Sequence, residues 1–256
     1  MKLTVLGFWA VPTAGETSSF LLEAEGFKLL LDAGMNPSFT LGRAGVRLVD
    51  VSHVMLSHCH ADHLSGFAGF VFSRQVQQRR FGPAPRLQVF GPAEALSAGR
   101  GLLELMYPDR QFEVEWLAVR PGESLTVGKA VLEFAATDHT VAGLALRIRG
   151  EERTFVYSSD TSSESQVVEF AKGADVLLGE CFGTLEDFGP IAQQQKHLSA
   201  EQVGEMAATA GVCKLVLFHM HEPYKEAARR DALLQVVRAH FKGEVVFPRE
   251  GEVIAF

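Results

Sequence analysis

The chain has 256 residues, 47% of them apolar, and a mean hydropathy of +0.09. That suffices for one large α/β domain or two small ones, and no apolar run is long enough to predict a transmembrane helix. The net charge of −7 and pI of about 5.7 exclude binding of polyanions through the overall field, so a nucleic-acid role would need a local basic patch or a cationic metal centre.

The opening MKLTVLGFWAVPTAGE is short of apolar length and runs into Pro and Gly, so it predicts a strand and turn, not a signal peptide. Cys59, Cys181 and Cys213 are too few for a disulfide framework and suit a reducing cytoplasm. Apolar runs bounded by turn residues predict strands at Leu3–Phe8, Ser19–Ala24, Lys28–Asp32, His53–Ser57, Leu87–Phe90 and Gln111–Trp116. Further strands are expected at Ser124–Val127, Ala130–Ala136, Ala142–Arg149, Thr154–Ser158, Val176–Glu180, Leu215–His219, Glu244–Phe247 and Val253–Ala255. Helical periodicity covers His63–Arg80, Pro92–Met106, Glu164–Lys172, Ala200–Ala210 and Pro223–Phe241. Ser199 with Gln202 three residues on is a capping box, and Gly211 suits the helix exit. Strands and helices cluster before and after about residue 130, which predicts two half-domains, roughly 1–130 and 131–256, within one domain. Gly34–Asp50 and the apolar Phe67–Phe72 segment would serve a homodimer seam or a substrate wall, against a plainer reading as core.

The densest chemistry is Ser57-His58-Cys59-His60-Ala61-Asp62-His63-Leu64-Ser65-Gly66, where three of the chain's nine histidines fall within six residues. An apolar strand delivers this loop to a sheet edge. His58 and His60 share a face of extended chain, and Asp62 and His63 open a helix. Imidazole and carboxylate together ligate zinc, manganese or iron. A polar surface loop would not need four such groups in one turn of chain.

His58-x-His60-x-Asp62-His63 resembles the signature of the metallo-β-lactamase superfamily of metal-dependent hydrolases. The resemblance extends along the chain through Asp32 in "LLLDAG", His139 in "ATDHTVAG", Asp160 in "FVYSSDTS" and His219 in "KLVLFHMHE". It implies a four-layer αββα sandwich of two mixed sheets with helices outside. It also implies two divalent metal ions, for which zinc suits the His-rich set and manganese or iron would be accepted. His58, His60 and His139 would hold the first, Asp62, His63 and His219 the second, and Asp160 would bridge them. Asp32 would orient a ligand histidine. His221, two residues beyond His219, competes with it, and His219 is preferred because it closes the strand. The pair of cations would hold a bridging water as hydroxide at neutral pH.

Lys196-His197-Leu198-Ser199 resembles the His-Ser/Thr motif of ribonuclease Z-like phosphodiesterases, and Glu180 in "LLGECF" keeps the glutamate of their His-Glu-Ala-Thr motif. Asp62, His197 and Glu180 are therefore the candidate catalytic residues, with His197 acting on the phosphorane-like oxygens or the leaving group. The tRNA-trimming members carry a Gly/Pro-rich arm between the motifs of His139 and Asp160. Here only twenty residues separate those two, so a tRNA 3′-processing role is disfavoured. The only Arg-Arg doublets, Arg79-Arg80 and Arg229-Arg230, are read as solvated helix faces. The expected substrate is a small molecule or short phosphodiester, such as a cyclic nucleotide or an RNA end. Carboxylic ester, thioester or lactone hydrolysis on the same metals is the alternative, and fold alone does not separate them.

Overall fold

The computed structural model describes residues 1–256 and contains two seven-stranded mixed sheets. The first half of the chain runs β1 (Lys2–Gly7), β2 (Ser19–Ala24), β3 (Phe27–Leu31), α1 (Pro37–Arg43), β4 (His53–Met55), α2 (Ala61–Leu64), α3 (Phe67–Phe81), β5 (Leu87–Gly91), α4 (Ala93–Met106) and β6 (Val114–Ala118). The second half runs β7 (Ser124–Val127), β8 (Ala130–Ala136), β9 (Leu144–Arg149), β10 (Thr154–Tyr157), α5 (Val167–Phe170), β11 (Val176–Glu180), α6 (Leu185–Gln195), α7 (Ala200–Ala210), β12 (Lys214–Phe218), α8 (Ala227–His240), β13 (Glu244–Val246) and β14 (Val253–Ala255). One sheet has the order β14-β1-β2-β3-β4-β5-β6 and the other β13-β12-β11-β10-β9-β8-β7. The chain changes sheets between Ala118 and Ser124, earlier than the division expected near residue 130, and β14 returns to pair with β1.

Period-2 burial sorts the side chains of the first sheet. Leu3, Val5, Phe20, Leu22, Leu29 and Leu31 face the second sheet in one apolar core. The alternate residues Leu21, Leu30, Val54 and Val89 pack beneath α1, α3 and α4 in a second core with Leu41, Phe67, Phe70 and Leu103. Phe67 and Phe70 are fully buried there, so that segment is core. In the second sheet, β11 and the apolar residues of β12 are buried on both faces, as expected of parallel strands under helices.

Helices α1, α2, α3, α5 and α6 depart from the sequence expectation, and α8 begins at Ala227 instead of Pro223 because Glu222–Lys225 forms a separate 3-10 turn. Residues 63–80 form two helices, because the Gly66 N–H donates to the carbonyls of Ala33 and Gly34 instead of extending a helix. A Cβ on Gly66 would lie 2.2 Å from the Gly34 carbonyl oxygen, so glycine permits this approach of the histidine loop to the end of β3. The expected helix at Glu164–Lys172 shrinks to α5. Helices α1 and α6 were hidden by their breakers: Pro37 opens α1, and Gly189-Pro190 sits inside α6. The Thr184 hydroxyl caps α6 by accepting from the Asp187 N–H.

The capping box at α7 is formed: Ser199 Oγ accepts from the Gln202 N–H at 3.2 Å, and Gln202 Oε1 accepts from the Ser199 N–H at 2.9 Å. Ser199→Ala is expected to cost about 1 kcal/mol. A thermal melt should show this as a fall of about 2–4 °C. Metal content should not change.

Candidate metal centre

The site forms where the parallel strands of both sheets end, the edge at which open α/β sheets present ligand sites. Asp32 follows β3, the His58–His63 loop follows β4, Asp160 follows β10, Glu180 ends β11 and His219 follows β12. His139 comes from the β8–β9 loop and His197 from the segment between α6 and α7. Asp32, Ser159 and His219 have left-handed backbone, with φ of 56°, 54° and 68°. Each such non-glycine residue costs about 1 kcal/mol or more, spent here on turning the chain sharply at a strand end.

Three groups of donors result, two of them free of His197, and the third, Asp160, Glu180, His197 and His219, overlaps the second. His58, His60 and His139 bring one ring nitrogen each within 4.8 Å of one another, and so do Asp62, His63, Asp160 and His219 with one donor atom each. His60 Nδ1 and His139 Nε2 are 3.1 Å apart. Nitrogens on a tetrahedral zinc would be about 3.4 Å apart. Asp160 lies between the first two groups. Its Oδ1 is 3.3 Å from His63 Nε2, and its Oδ2 is 3.1 Å from His219 Nε2, 3.8 Å from His58 Nε2 and 3.9 Å from His139 Nε2. Asp62 Oδ2 is 3.0 Å from His219 Nε2 and 3.5 Å from His63 Nε2.

Hydrogen bonds on the far ring nitrogens turn the near ones inward. His63 Nδ1–H donates to Asp32 at 2.7 Å and His139 Nδ1–H to the Lys196 carbonyl at 3.2 Å. Ser57 Oγ donates to Asp32, which leaves it to accept from His58 Nδ1–H at 3.0 Å. His58 Nε2, His63 Nε2 and Asp160 Oδ1 are left buried without a hydrogen-bond partner. Buried polar atoms are rarely orphaned. Convergent bare nitrogens and a carboxylate fit divalent cations. Burial opposes charging His58, with the neighbouring His63 adding to it, and its pKa lies well below the usual range. Burial works against a charged His63 too, but Asp160 and Asp62 outweigh it and hold its pKa well above that range.

Asp32 is fully buried and accepts four hydrogen bonds: from the Ser57 N–H and hydroxyl, the Tyr157 hydroxyl and His63 Nδ1. Asp32→Asn keeps the shape but points an amide NH₂ at donors. Metal affinity, measured by competition with a chromophoric chelator, is expected to fall about 10–100-fold. Tyr157 and Ser57 were not anticipated from the sequence, although a tyrosine inside a buried strand must find a partner for its hydroxyl.

His197 stands beside the first two groups. Its ring stacks on Phe182 at 4.3 Å with a 10° tilt, its Nδ1 contacts Glu180 Oε1, and it lies 3.9 Å from Asp160 Oδ2. Glu180 is fully buried, and its Oε2 accepts from the Thr161 N–H at 2.7 Å. Burial, then the charge of Asp160, pushes the Glu180 carboxyl well above the ordinary range, while burial lowers the imidazole of His197. Lys196 precedes His197 in left-handed backbone, and its ammonium pairs with Asp138 at 2.6 Å. That pair ties the end of α6 to the loop carrying His139. His221 is not among the donor groups: it packs edge-on to Phe182 and stacks on Phe188. A cavity of about 850 Å³ opens over the centre, walled by His60, Asp62, Asp160 and His197 on one side and by Val11, Met35 and Ile191 on the other.

The family model described as "Anti-Pycsar protein Apyc1" matches residues 1–241. The chain belongs to this family. It is 29% identical over 257 residues to the probable metallo-hydrolase YhfI of Bacillus subtilis (strain 168), with 99% of each chain covered. The crystal structure of that metallo-β-lactamase fold protein superposes with a TM-score of 0.82 at 28% identity, covering 99% of this chain and 98% of the other. Identity to ribonuclease Z of Methanosarcina acetivorans is 24% over 278 residues, covering 88% of this chain and 89% of that one. Human tRNase Z, short form, shares the fold with a TM-score of 0.80 at 17% identity, covering 100% and 99% of the two chains. This Apyc1-family chain is thus a metal-dependent hydrolase of the metallo-β-lactamase fold, on its ribonuclease Z-like branch. No helix is long and apolar enough to cross a membrane.

Proposed function

We propose that the chain is a dinuclear phosphodiesterase acting on a small or terminal phosphodiester, such as a cyclic nucleotide or an RNA end. His58, His60 and His139 would hold one cation, Asp62, His63 and His219 the other, with Asp160 shared. When bound, the two cations supply Lewis acidity and a water of lowered pKa. The observation that carries the phosphodiester reading is His197 held at the centre by Glu180. With Nδ1–H donating to Glu180, the other ring nitrogen is left to the cavity, within reach of a phosphoryl or leaving oxygen. His197 takes up a proton from solvent, and Glu180, once bound cations favour its carboxylate, stabilises the imidazolium; as the water oxygen bonds to phosphorus and the bond to the leaving oxygen breaks, that proton passes to the departing alkoxide. Phe182 keeps water from one face of the ring and fixes its plane. Asp62, half-buried at the cavity wall, is positioned to orient the attacking water.

Size supports a short substrate. The cavity of about 850 Å³ is of the scale that encloses small ligands. Between His139 and Asp160 the chain forms only β9, the turn Gly150–Arg153 and β10, which supports a role other than tRNA trimming. The test is a substrate panel on the zinc- or manganese-loaded protein: bis(p-nitrophenyl) phosphate and 2′,3′- and 3′,5′-cyclic nucleotides against lactones and thioesters. A phosphodiester is expected to lead in kcat/KM by orders of magnitude. A lactone or thioester in that position overturns the assignment in favour of acyl hydrolysis.

A further inference from the structure

A second concavity, of about 970 Å³, lies beside the candidate centre. Acidic residues outnumber basic ones in the chain by 31 to 24, yet Lys225, Arg230, Arg238 and Arg249 line this groove against a single carboxylate, Glu250. Glu250 is already engaged, accepting from the Glu16 N–H at 3.0 Å. Lys225, Arg238 and Arg249 form no salt bridge, and Arg230 has only Asp231, at 4.0 Å. On the floor the Phe247 ring is half-buried, above the buried Phe8, Trp9 and Tyr224. Phe247 packs edge-on against Trp9 at 6.1 Å, and the Arg230 guanidinium lies 5.8 Å from the centre of the Phe247 ring.

The groove and the cavity over the centre share two walls. After β1, Phe8 and Trp9 line the groove, and Ala10, Val11 and Pro12 line the cavity. After β12, His219 and His221 line the cavity, and Tyr224 and Lys225 line the groove. Free cations beside an aromatic floor are how proteins hold single strands, with phosphates on the charges and bases on the rings. A cyclic mononucleotide is small enough to sit within the cavity and has no need of the groove.

We infer that the groove holds a single-stranded nucleic-acid segment whose end reaches the candidate centre. The placement of that end rests on the phosphodiesterase reading. The test uses the metal-loaded full chain and a short fluorescein-labelled oligothymidylate with phosphorothioate linkages, followed by anisotropy across a salt series. Arg238→Glu/Arg249→Glu is expected to weaken binding at least about tenfold and to flatten the slope of log K against log salt by about 1.4, for two lost phosphate contacts. Arg238→Gln/Arg249→Gln should show the same slope change and guards against misfolding by charge reversal. Turnover of bis(p-nitrophenyl) phosphate should match wild type in both variants. With Trp116→Phe as background, the emission of Trp9, buried against Phe247, should shift when the oligonucleotide covers that ring. Unchanged affinity and slope in both double variants overturn the inference, as does equal competition by a polyglutamate peptide, which would assign the groove to an acidic polypeptide. Failure of the wild type to cleave bis(p-nitrophenyl) phosphate would instead count against the phosphodiesterase reading, and the anisotropy would still decide the groove.

Discussion

His197→Ala is expected to lower kcat on bis(p-nitrophenyl) phosphate by about 10²–10⁴-fold, the usual contribution of a positioned proton donor. Metal per chain, read by elemental analysis, should stay at the wild-type level, because His58, His60, His139, Asp62, His63, Asp160 and His219 all remain. KM should move little, since the donor acts on charge that develops at the transition state. Glu180→Gln probes the same relay from behind. The amide oxygen can still accept from His197 Nδ1–H, but it cannot become the carboxylate that bound cations would favour at Glu180, so the imidazolium gains no buried counter-ion. Its kcat should fall between wild type and His197→Ala. The double variant should lose no more than His197→Ala alone, because the two act as one unit. An additive loss would mean that Glu180 works independently, through its other contact with the Thr161 N–H and the nearby His219. Full turnover in His197→Ala would remove the histidine from the chemistry.

How legible these residues were depended on whether their signal was local. The convergence of His58, His60, Asp62 and His63 was readable because one loop carries all four. Asp160 and His219 were readable because each directly follows an apolar strand, and parallel strands bring such ends to one edge. The strands themselves were clear: β2, β7, β8, β11 and β14 match their expected bounds, since apolar runs bounded by turn residues mark them. What stayed hidden depends on tertiary partners. Helix α6 forms despite Gly189-Pro190 because Thr184 caps it and its face with Ala192 is buried. No local pattern reveals that Phe182 would stack on His197, or that the carbonyl of Lys196 would orient His139. The basic groove was invisible for the same reason. Arg230 appeared only as half of a doublet on a solvated helix face, while its companions Lys225 and Arg249 come from separate segments that meet only in the fold.

Removal of metal is the strongest perturbation the centre allows. The groups that crowd it are costly without cations: Asp160 and Glu180 are buried carboxylates, and three of the donor atoms around them have no hydrogen-bond partner. Chelator-treated protein is expected to lose phosphodiesterase turnover to background. A ligand present at a thousand times its Kd stabilises the native state by about 4 kcal/mol, so the melting temperature should also drop by about 8–16 °C. Zinc or manganese should restore both readouts. Substitution then separates the two groups. Asp160→Asn keeps the volume but withdraws the one carboxylate that faces both sets of donors, so elemental analysis should find metal reduced at both sites. His60→Gln touches only the set with His58 and His139, and should leave the metal bound by Asp62, His63, Asp160 and His219 in place. Wild-type metal content in Asp160→Asn would show that Asp160 is not shared between two cations. Equal loss in both variants would mean that the seven donors form one cooperative site.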